Sequence, residues 1–296
     1  MTDRAWELRP MALDDVEAVA GVVGAADDDA LRRAGRDPQP LTDERRRNFL
    51  TGMARFVECD PDGAWVAVTG PGPGSRVVGM AEAIRRGSFW GLSMLFVDPQ
   101  WQSAGVGRAL LEAASATSAG AHLRMIQSSG DPRAIRRYSG AGLAMHPAAD
   151  ASGPIDRSAL PAGLVGRPGD ESDLDLVAEV DWSLGRARAQ DVGFLLDTGR
   201  HMDVVDSGAG RGFIVYEDHH PNLLGATDEA TATVLLWRAL AASAKGEYSV
   251  HAKTAAQDWA VKVALAARLK VSSYGAMFID GLSHPPGPWL PSGWYF

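Results

Sequence analysis

Apolar residues recur along this chain in two rhythms: short unbroken or alternating runs, and stripes at three- and four-residue spacing. The runs predict strands over Trp6 to Arg9, Trp65 to Thr69, Val77 to Ile84, Trp90 to Val97 and His122 to Gln127. The stripes predict helices. Val16, Val19, Ala20 and Val23 follow a cap at Asp14 or Asp15, and Phe49, Leu50, Met53 and Phe56 follow Thr42-Asp43-Glu44-Arg45, which has the form of a capping box. A third stripe, Val106, Leu110 and Leu111, begins right after Gly105, and a fourth helix is predicted from Asp131 to Gly142. Pro71-Gly72-Pro73-Gly74 is a turn signal that makes its flanking strands a hairpin. Arg45, Arg46 and Arg47 are consecutive on a helix, so they splay over most of a turn and read as a solvated face, not a nucleic-acid patch.

The stretch from Leu95 to Leu111 carries the most chemistry. An apolar strand ends at Pro99, which cannot extend the pairing, and Gln102-Ser103-Ala104-Gly105-Val106-Gly107 then leads into a helix. Two glycines at a helix entry let backbone N–H groups face outward without Cβ interference, which makes a cradle for a phosphate-like anion. Leu110 stands where a dinucleotide fingerprint needs its third glycine, and no Gly-Lys-Ser/Thr follows, so both common nucleotide loops are excluded.

The loop resembles the pyrophosphate loop of the GNAT-superfamily acetyltransferases: Gln or Arg, two variable residues, Gly, any residue, Gly or Ala. Val97-Asp98-Pro99 is similar to the Val-x-Pro that closes the preceding strand in that family. A second signature of the family, Asn or Asp, then Ala, then Tyr, then Gly-Phe, is matched by Asp131, Ala134, Tyr138 and Gly142-Leu143, with Leu143 in place of the usual aromatic. The resemblance implies an α/β (α+β) chain with the GNAT fold, a mixed central sheet flanked by helices. It implies direct acetyl transfer from acetyl-CoA, as cosubstrate, to an amine. Gln102, Ser103, Ala104, Gly105, Val106 and Gly107, with Arg108 behind them, would hold the pyrophosphate. The strand edge at Phe96 and Val97 would pair with the pantetheine arm, and Asp131 and Ala134 belong to the same cofactor-binding set. Tyr138 would donate to the departing sulfur. An ammonium nucleophile must first lose a proton, and Glu82 is the sole carboxylate in the strands leading to this loop; it is either on a solvent face or directed into a cleft.

The second half starts again. Arg9-Pro10, Asp15, Val19 and Ala20 recur as Arg167-Pro168, Asp173, Val177 and Ala178, each displaced by 158 (167 minus 9). Ala151 to Gly163, rich in Pro, Gly and Ser, reads as a linker, so the expected domains are 1–155 and 156–296. A helix from Asp173 to Leu184 is followed by strands Met202 to Val205 and Gly212 to Glu217 around Ser207-Gly208-Ala209-Gly210-Arg211. That glycine run leads into a strand and is a hairpin turn. Leu223 to Asp228 leads into a helix carrying Val234, Leu235, Trp237 and Leu240. Asp228-Glu229-Ala230 replaces the glycine pair, and carboxylates at a helix N-terminus displace phosphate. Aligning Ala134 with Ala260 sets Ala264 opposite Tyr138 and Leu269 opposite Leu143. The second half is therefore similar to a degenerate GNAT domain, as in tandem-GNAT proteins in which one copy keeps the cofactor.

At 296 residues the chain has room for two ordinary domains, and 46% hydrophobic content is that of a globular protein. The single cysteine, Cys59, excludes an internal disulfide, and Thr2-Asp3-Arg4 opens no signal peptide; a cytoplasmic protein is expected, with no membrane partner. A net charge of −8 argues against nucleic acid and favours a cationic substrate. His219, His220 and His251 lack a Cys partner and helical His-x-x-x-His spacing, so a surface turn and no metal are expected. The tail from His284 to Phe296 should lie extended on a domain surface. The expected partner is a small-molecule or protein amine, a homodimer being compatible. The alternative function is that of a non-catalytic acyl-CoA sensor or scaffold; retention of Tyr138 beside an intact loop favours the enzyme.

Overall fold

The computed structural model describes residues 5–38, 42–70, 75–244, 246–282 and 287–296, and the turn at 71–74 and part of the tail at 283–286 lie outside them. The chain forms two compact units, the first Met1–Arg85 with Trp90–Ala121 and the second Arg86–Phe89 with His122–Phe296.

The first unit holds β1 (Glu7–Pro10), α1 (Val16–Arg33), α2 (Asp43–Cys59), β2 (Trp65–Val68), β3 (Val77–Arg86), β4 (Phe89–Val97) and α3 (Val106–Ser115), the last residues of β3 and the first of β4 counting with the second unit. Its strands lie side by side in the order β1-β2-β3-β4. The capping reading at Thr42 is correct in its first half, since the Thr42 side chain accepts from the Arg45 N–H and starts α2. Val16, Val19, Val22 and Val23 turn one stripe of α1 inward. Gly79 on β3 makes room for α3: a Cβ there would come within 2.9 Å of Leu110 and 3.0 Å of Val106. The cradle helix thus sits directly on the sheet.

The second unit holds β5 (Leu123–Ser128), α4 (Pro132–Gly140), β6 (Ala144–Pro154), β7 (Arg167–Gly169), α5 (Leu174–Ser183), α6 (Ala189–Asp197), β8 (His201–Ser207), β9 (Gly210–Glu217), β10 (His220–Ala226), α7 (Glu229–Ala242), β11 (Glu247–Lys253), α8 (Asp258–Ala266), β12 (Lys270–Asp280) and β13 (Trp289–Leu290). One sheet runs β13-β10-β9-β8-β7. In the other, β12 lies between β5 and β6, and β6 lies between β12 and β11, all antiparallel. Counting strands within each sequence half, β5 and β6 are the fifth and sixth of the first half, β11 and β12 those of the second. Each half's sixth strand therefore pairs with the other half's fifth.

This exchange corrects the linker reading. Ala151 to Pro154 belongs to β6, with Ala151 fully buried between Val271 and Val250, and Ile155 and Asp156 bond onward to Gly246 and Ala267. Ser152 is paired on both sides, with Ser249 and Lys270, and Gly153 and Pro154 continue the ladder on one side to Tyr248 and Glu247, so pairing compensates for their weak propensity. The repeat itself is visible in three dimensions. Arg9 grips Asp15 with two hydrogen bonds of 2.6 and 2.7 Å, and Arg167 grips Asp173 with two of 2.8 and 2.5 Å. In both copies the same carboxylate accepts a backbone N–H at the helix entry, from Ala12 and from Asp170. The alignment of Tyr138 with Ala264 also fits, since α4 and α8 begin and end at the same aligned positions.

The tail departs from expectation. Trp289, Leu290, Tyr295 and Phe296 are buried, β13 pairs with β10, and the Phe296 carbonyl accepts from Arg186, Arg188 and Trp289. Arg188 is also held by Asp181, both side chains being fully buried, while Arg186 stacks on Phe89 and Trp289. Four large aromatic and aliphatic side chains in this short stretch gain more from burial than a surface path allows.

Candidate active site

The anion cradle is built from the end of β4. Asp98 accepts from the Gln100 N–H at 2.8 Å, which starts the turn Pro99–Trp101. Gln102 then folds back, donating from Nε2 to the Val97 carbonyl at 3.2 Å, while its Oε1 accepts from Arg33 at 3.4 Å. Ser103 has φ of 64° and Gly105 φ of 86°, so the chain makes two left-handed steps before α3. For Ser103 this conformation is strained, and for Gly105 it is free. The Trp6 indole donates to the Ala104 carbonyl at 3.2 Å and closes the outer wall.

The result is an open helix N-terminus. Among the described residues, no acceptor meets the N–H groups of Gly105, Val106 or Gly107, and no side chain caps α3. Ser103, Ala104 and Gly105 are exposed, so an anion can reach these donors from solvent. Val106 and Gly107 are buried, and Val106 packs toward Gly79 of β3. The partial positive end of α3 adds attraction for phosphate. By contrast α7, in the corresponding place of the second half, is closed by its own carboxylate: Asp228 accepts from the Thr231 N–H at 2.8 Å and from its hydroxyl.

Phe96 and Val97 are half-buried at the end of β4 beside this loop. Arg108 follows the cradle on α3. Its side chain is 79% exposed and paired along the helix with Glu112 at 2.8 Å, because at that position α3 presents its solvent face. Arg33, at the end of α1 and also paired with Asp29, is a cation that the fold brings to the loop. Neither Arg33 nor Trp6 had a signal in the sequence, since each meets the loop across a long stretch of chain.

Glu82 is fully buried on β3, so the solvent-face reading is excluded. By strand alternation it shares a face with Met80 and Ile84, opposite the face on which Gly79 meets α3. Asp131, Ala134 and Tyr138 lie in the second unit. Asp131 caps α4 by accepting the Arg133 N–H at 2.8 Å, which is the physical role of the acid in the second signature. Ala134 sits half-buried one turn before Tyr138. The Tyr138 ring is buried edge-on against Phe278 with centroids 5.6 Å apart. Burial pushes the phenol well above its ordinary pKa, Arg137 opposing and Asp131 adding to the shift.

Residues 60–142, which span the loop, Glu82 and Tyr138, match the family "Acetyltransferase (GNAT) domain". The fold is similar to that of a proposed acetyltransferase from Pyrococcus horikoshii, with a TM-score of 0.75 at 14% identity over 98% of this chain and 96% of the other. A tandem GNAT protein from the clavulanic acid biosynthesis pathway aligns over 93% of this chain and 98% of its own, with a TM-score of 0.54 and 17% identity. A GCN5-related N-acetyltransferase from Kribbella flavida gives 0.56 at 15% identity, over 93% and 71%. No curated protein sequence matches the chain.

Proposed function

Because residues 60–142 belong to the GNAT acetyltransferase family and the chain as a whole takes the tandem-GNAT fold, we propose that this acyltransferase is an acetyl-CoA-dependent N-acetyltransferase acting on a primary amine. The observation that carries the cofactor is the cradle: three N–H donors at the start of α3 that meet no acceptor among the described residues, behind the exposed Ser103, Ala104 and Gly105 and beside Arg33. Bound acetyl-CoA supplies the activated acetyl group. Ser103 to Gly107 hold its pyrophosphate oxygens, and the backbone of Phe96 and Val97 offers an extended edge to the amides of its arm.

Glu82 receives the proton that the attacking ammonium must lose, directly or through water, and the Tyr138 hydroxyl donates toward the leaving sulfur. The weakened acidity of a buried phenol favours partial donation over complete transfer. The repeat over 156–296 is a degenerate copy that binds no acetyl-CoA, because Asp228 already fills the donors at α7. An excess of acidic residues, net −8, favours a cationic amine.

The test is release of CoA thiol against a panel of amines, with an acetylated product identified by mass. Turnover with at least one amine supports the reading; saturable CoA binding with no acetyl transfer to any amine would favour a sensor or scaffold.

A further inference from the structure

Glu217 ends β9 and His220 opens β10, and the two are register partners across the turn, so their side chains leave the hairpin on one face. His219 lies in that turn, its ring 4.5 Å from the ring of His220. One carboxylate oxygen of Glu217 and one ring nitrogen of each histidine all fall within 4.8 Å of one another. Tetrahedral coordination at about 2.0–2.1 Å needs donors about 3.3 Å apart, a closure that modest side-chain rotation supplies for half-buried residues. We propose that Glu217, His219 and His220 bind a divalent first-row transition cation, zinc in the first instance, at the β9–β10 turn.

The surroundings point to a ligand. Arg200 and Asn222 both donate to the same oxygen of Glu217, Oε1, at 3.1 and 3.4 Å, which orients the carboxylate and presents Oε2 to a cation. The Asn222 amide faces His220 Nε2 at 3.3 Å with its nitrogen, leaving Oδ1 buried with no hydrogen-bond partner among the described residues. Tyr248, 1% exposed, carries a hydroxyl with no hydrogen-bond partner among the described residues and lies within electrostatic reach of Glu217.

The turn is also held in place. The His219 carbonyl accepts from the Ser249 N–H at 2.8 Å, tying the hairpin to β11, and the Asp218 carbonyl accepts from Ser243 beyond α7. Two imidazoles select zinc, nickel, cobalt or copper over magnesium and calcium, which prefer all-oxygen sets. Arg200 opposes the ion's charge, and the carboxylate with two neutral imidazoles must outweigh it. A bound ion would brace the hairpin against β11, and the linked gain appears as raised thermal stability.

The experiment is calorimetric titration of the full chain with Zn²⁺ at pH 7.5, with Co²⁺ absorption as a coordination probe. The expected result is one ion per chain with a Kd at or below about 10 μM and a tetrahedral Co²⁺ spectrum. Glu217→Gln, His219→Gln and His220→Gln should each weaken binding about tenfold or more and remove the zinc-dependent rise in Tm. His251→Gln, outside the set, should bind as the parent does. Absence of saturation up to millimolar Zn²⁺, or parent-like affinity in a folded His219→Gln/His220→Gln variant, would overturn the site. Should the paired variant not fold, an octahedral Co²⁺ spectrum in the parent chain would overturn it equally.

Discussion

Gln102 donates from its side chain to the carbonyl of Val97 across 3.2 Å, so the first residue of the cradle is tied to the last residue of the strand that feeds it. The family pattern places Gln or Arg at this position, and the geometry shows its work to be holding the loop in register with β4. Gln102→Ala should leave the fold and kcat near the parent values and raise KM for acetyl-CoA about fivefold, the worth of one hydrogen bond near 1 kcal/mol. Steady-state kinetics with acetyl-CoA varied checks it, and an unchanged KM would show that the loop needs no such tie.

Tyr138 packs against Phe278, which comes from β12 in the other sequence half. Tyr138→Phe keeps that packing and removes the hydroxyl alone, so kcat should fall about 10²-fold with acetyl-CoA affinity retained. Because burial raises the phenol's pKa, the hydroxyl stays protonated throughout the neutral and mildly alkaline range. An alkaline limb below about pH 10 should therefore be the same in parent and variant. Parent-like turnover would make Tyr138 a packing residue and leave the sulfur to water.

The paired Arg–Asp clasps predict an acid-dependent stability. Arg167 holds the Asp173 carboxyl below its ordinary pKa, and for Asp15 the hydrogen bonds from Arg9 and Ala12 outweigh a desolvation that acts the other way. A carboxylate with a depressed folded pKa stabilises above its unfolded value, near 3.9, and the stabilisation fades as pH falls through the folded value. Asp173→Asn should therefore lower Tm at pH 7, and the difference from the parent should shrink progressively as pH falls below the unfolded value. A difference that persists unchanged at pH 2.5 would assign the effect to packing.

Strand exchange predicts that the sequence halves are not independent. Cutting at 155/156 leaves β6 in the first fragment without both of its neighbours and β12 in the second fragment without both of its own. Each fragment alone should aggregate or remain unfolded, and co-expression should recover a soluble complex with a parent-like melting transition. A monomeric, cooperatively folded 1–155 fragment would contradict this.

The sequence made the local devices legible where the physics is local. Glycines at a helix entry, Asp131 before Pro132, Asp228 before α7 and the two Arg–Asp clasps each act over a few residues, and each falls at positions the pattern singles out. Exchange between halves is not legible, because the pattern predicts no strand over β6 or β12 and nothing in period-2 alternation names a partner. For the same reason Ser152-Gly153-Pro154 resembled a linker. Arg33 and Trp6 reach the loop only through contacts made after folding, each across a long stretch of chain.

The cradle is the central claim, and a calorimetric titration with acetyl-CoA tests it most directly. Gly107 is buried, so a large residue there confounds binding with packing, whereas Ala104 is exposed at the mouth of the loop. Ala104→Glu sets a carboxylate over the positive end of α3, a penalty of about 2 kcal/mol or near 30-fold in affinity. The parent should bind one acetyl-CoA per chain, and a folded Ala104→Glu should show at least that loss. Two equivalent sites in the parent, or undiminished affinity in the variant, would contradict it.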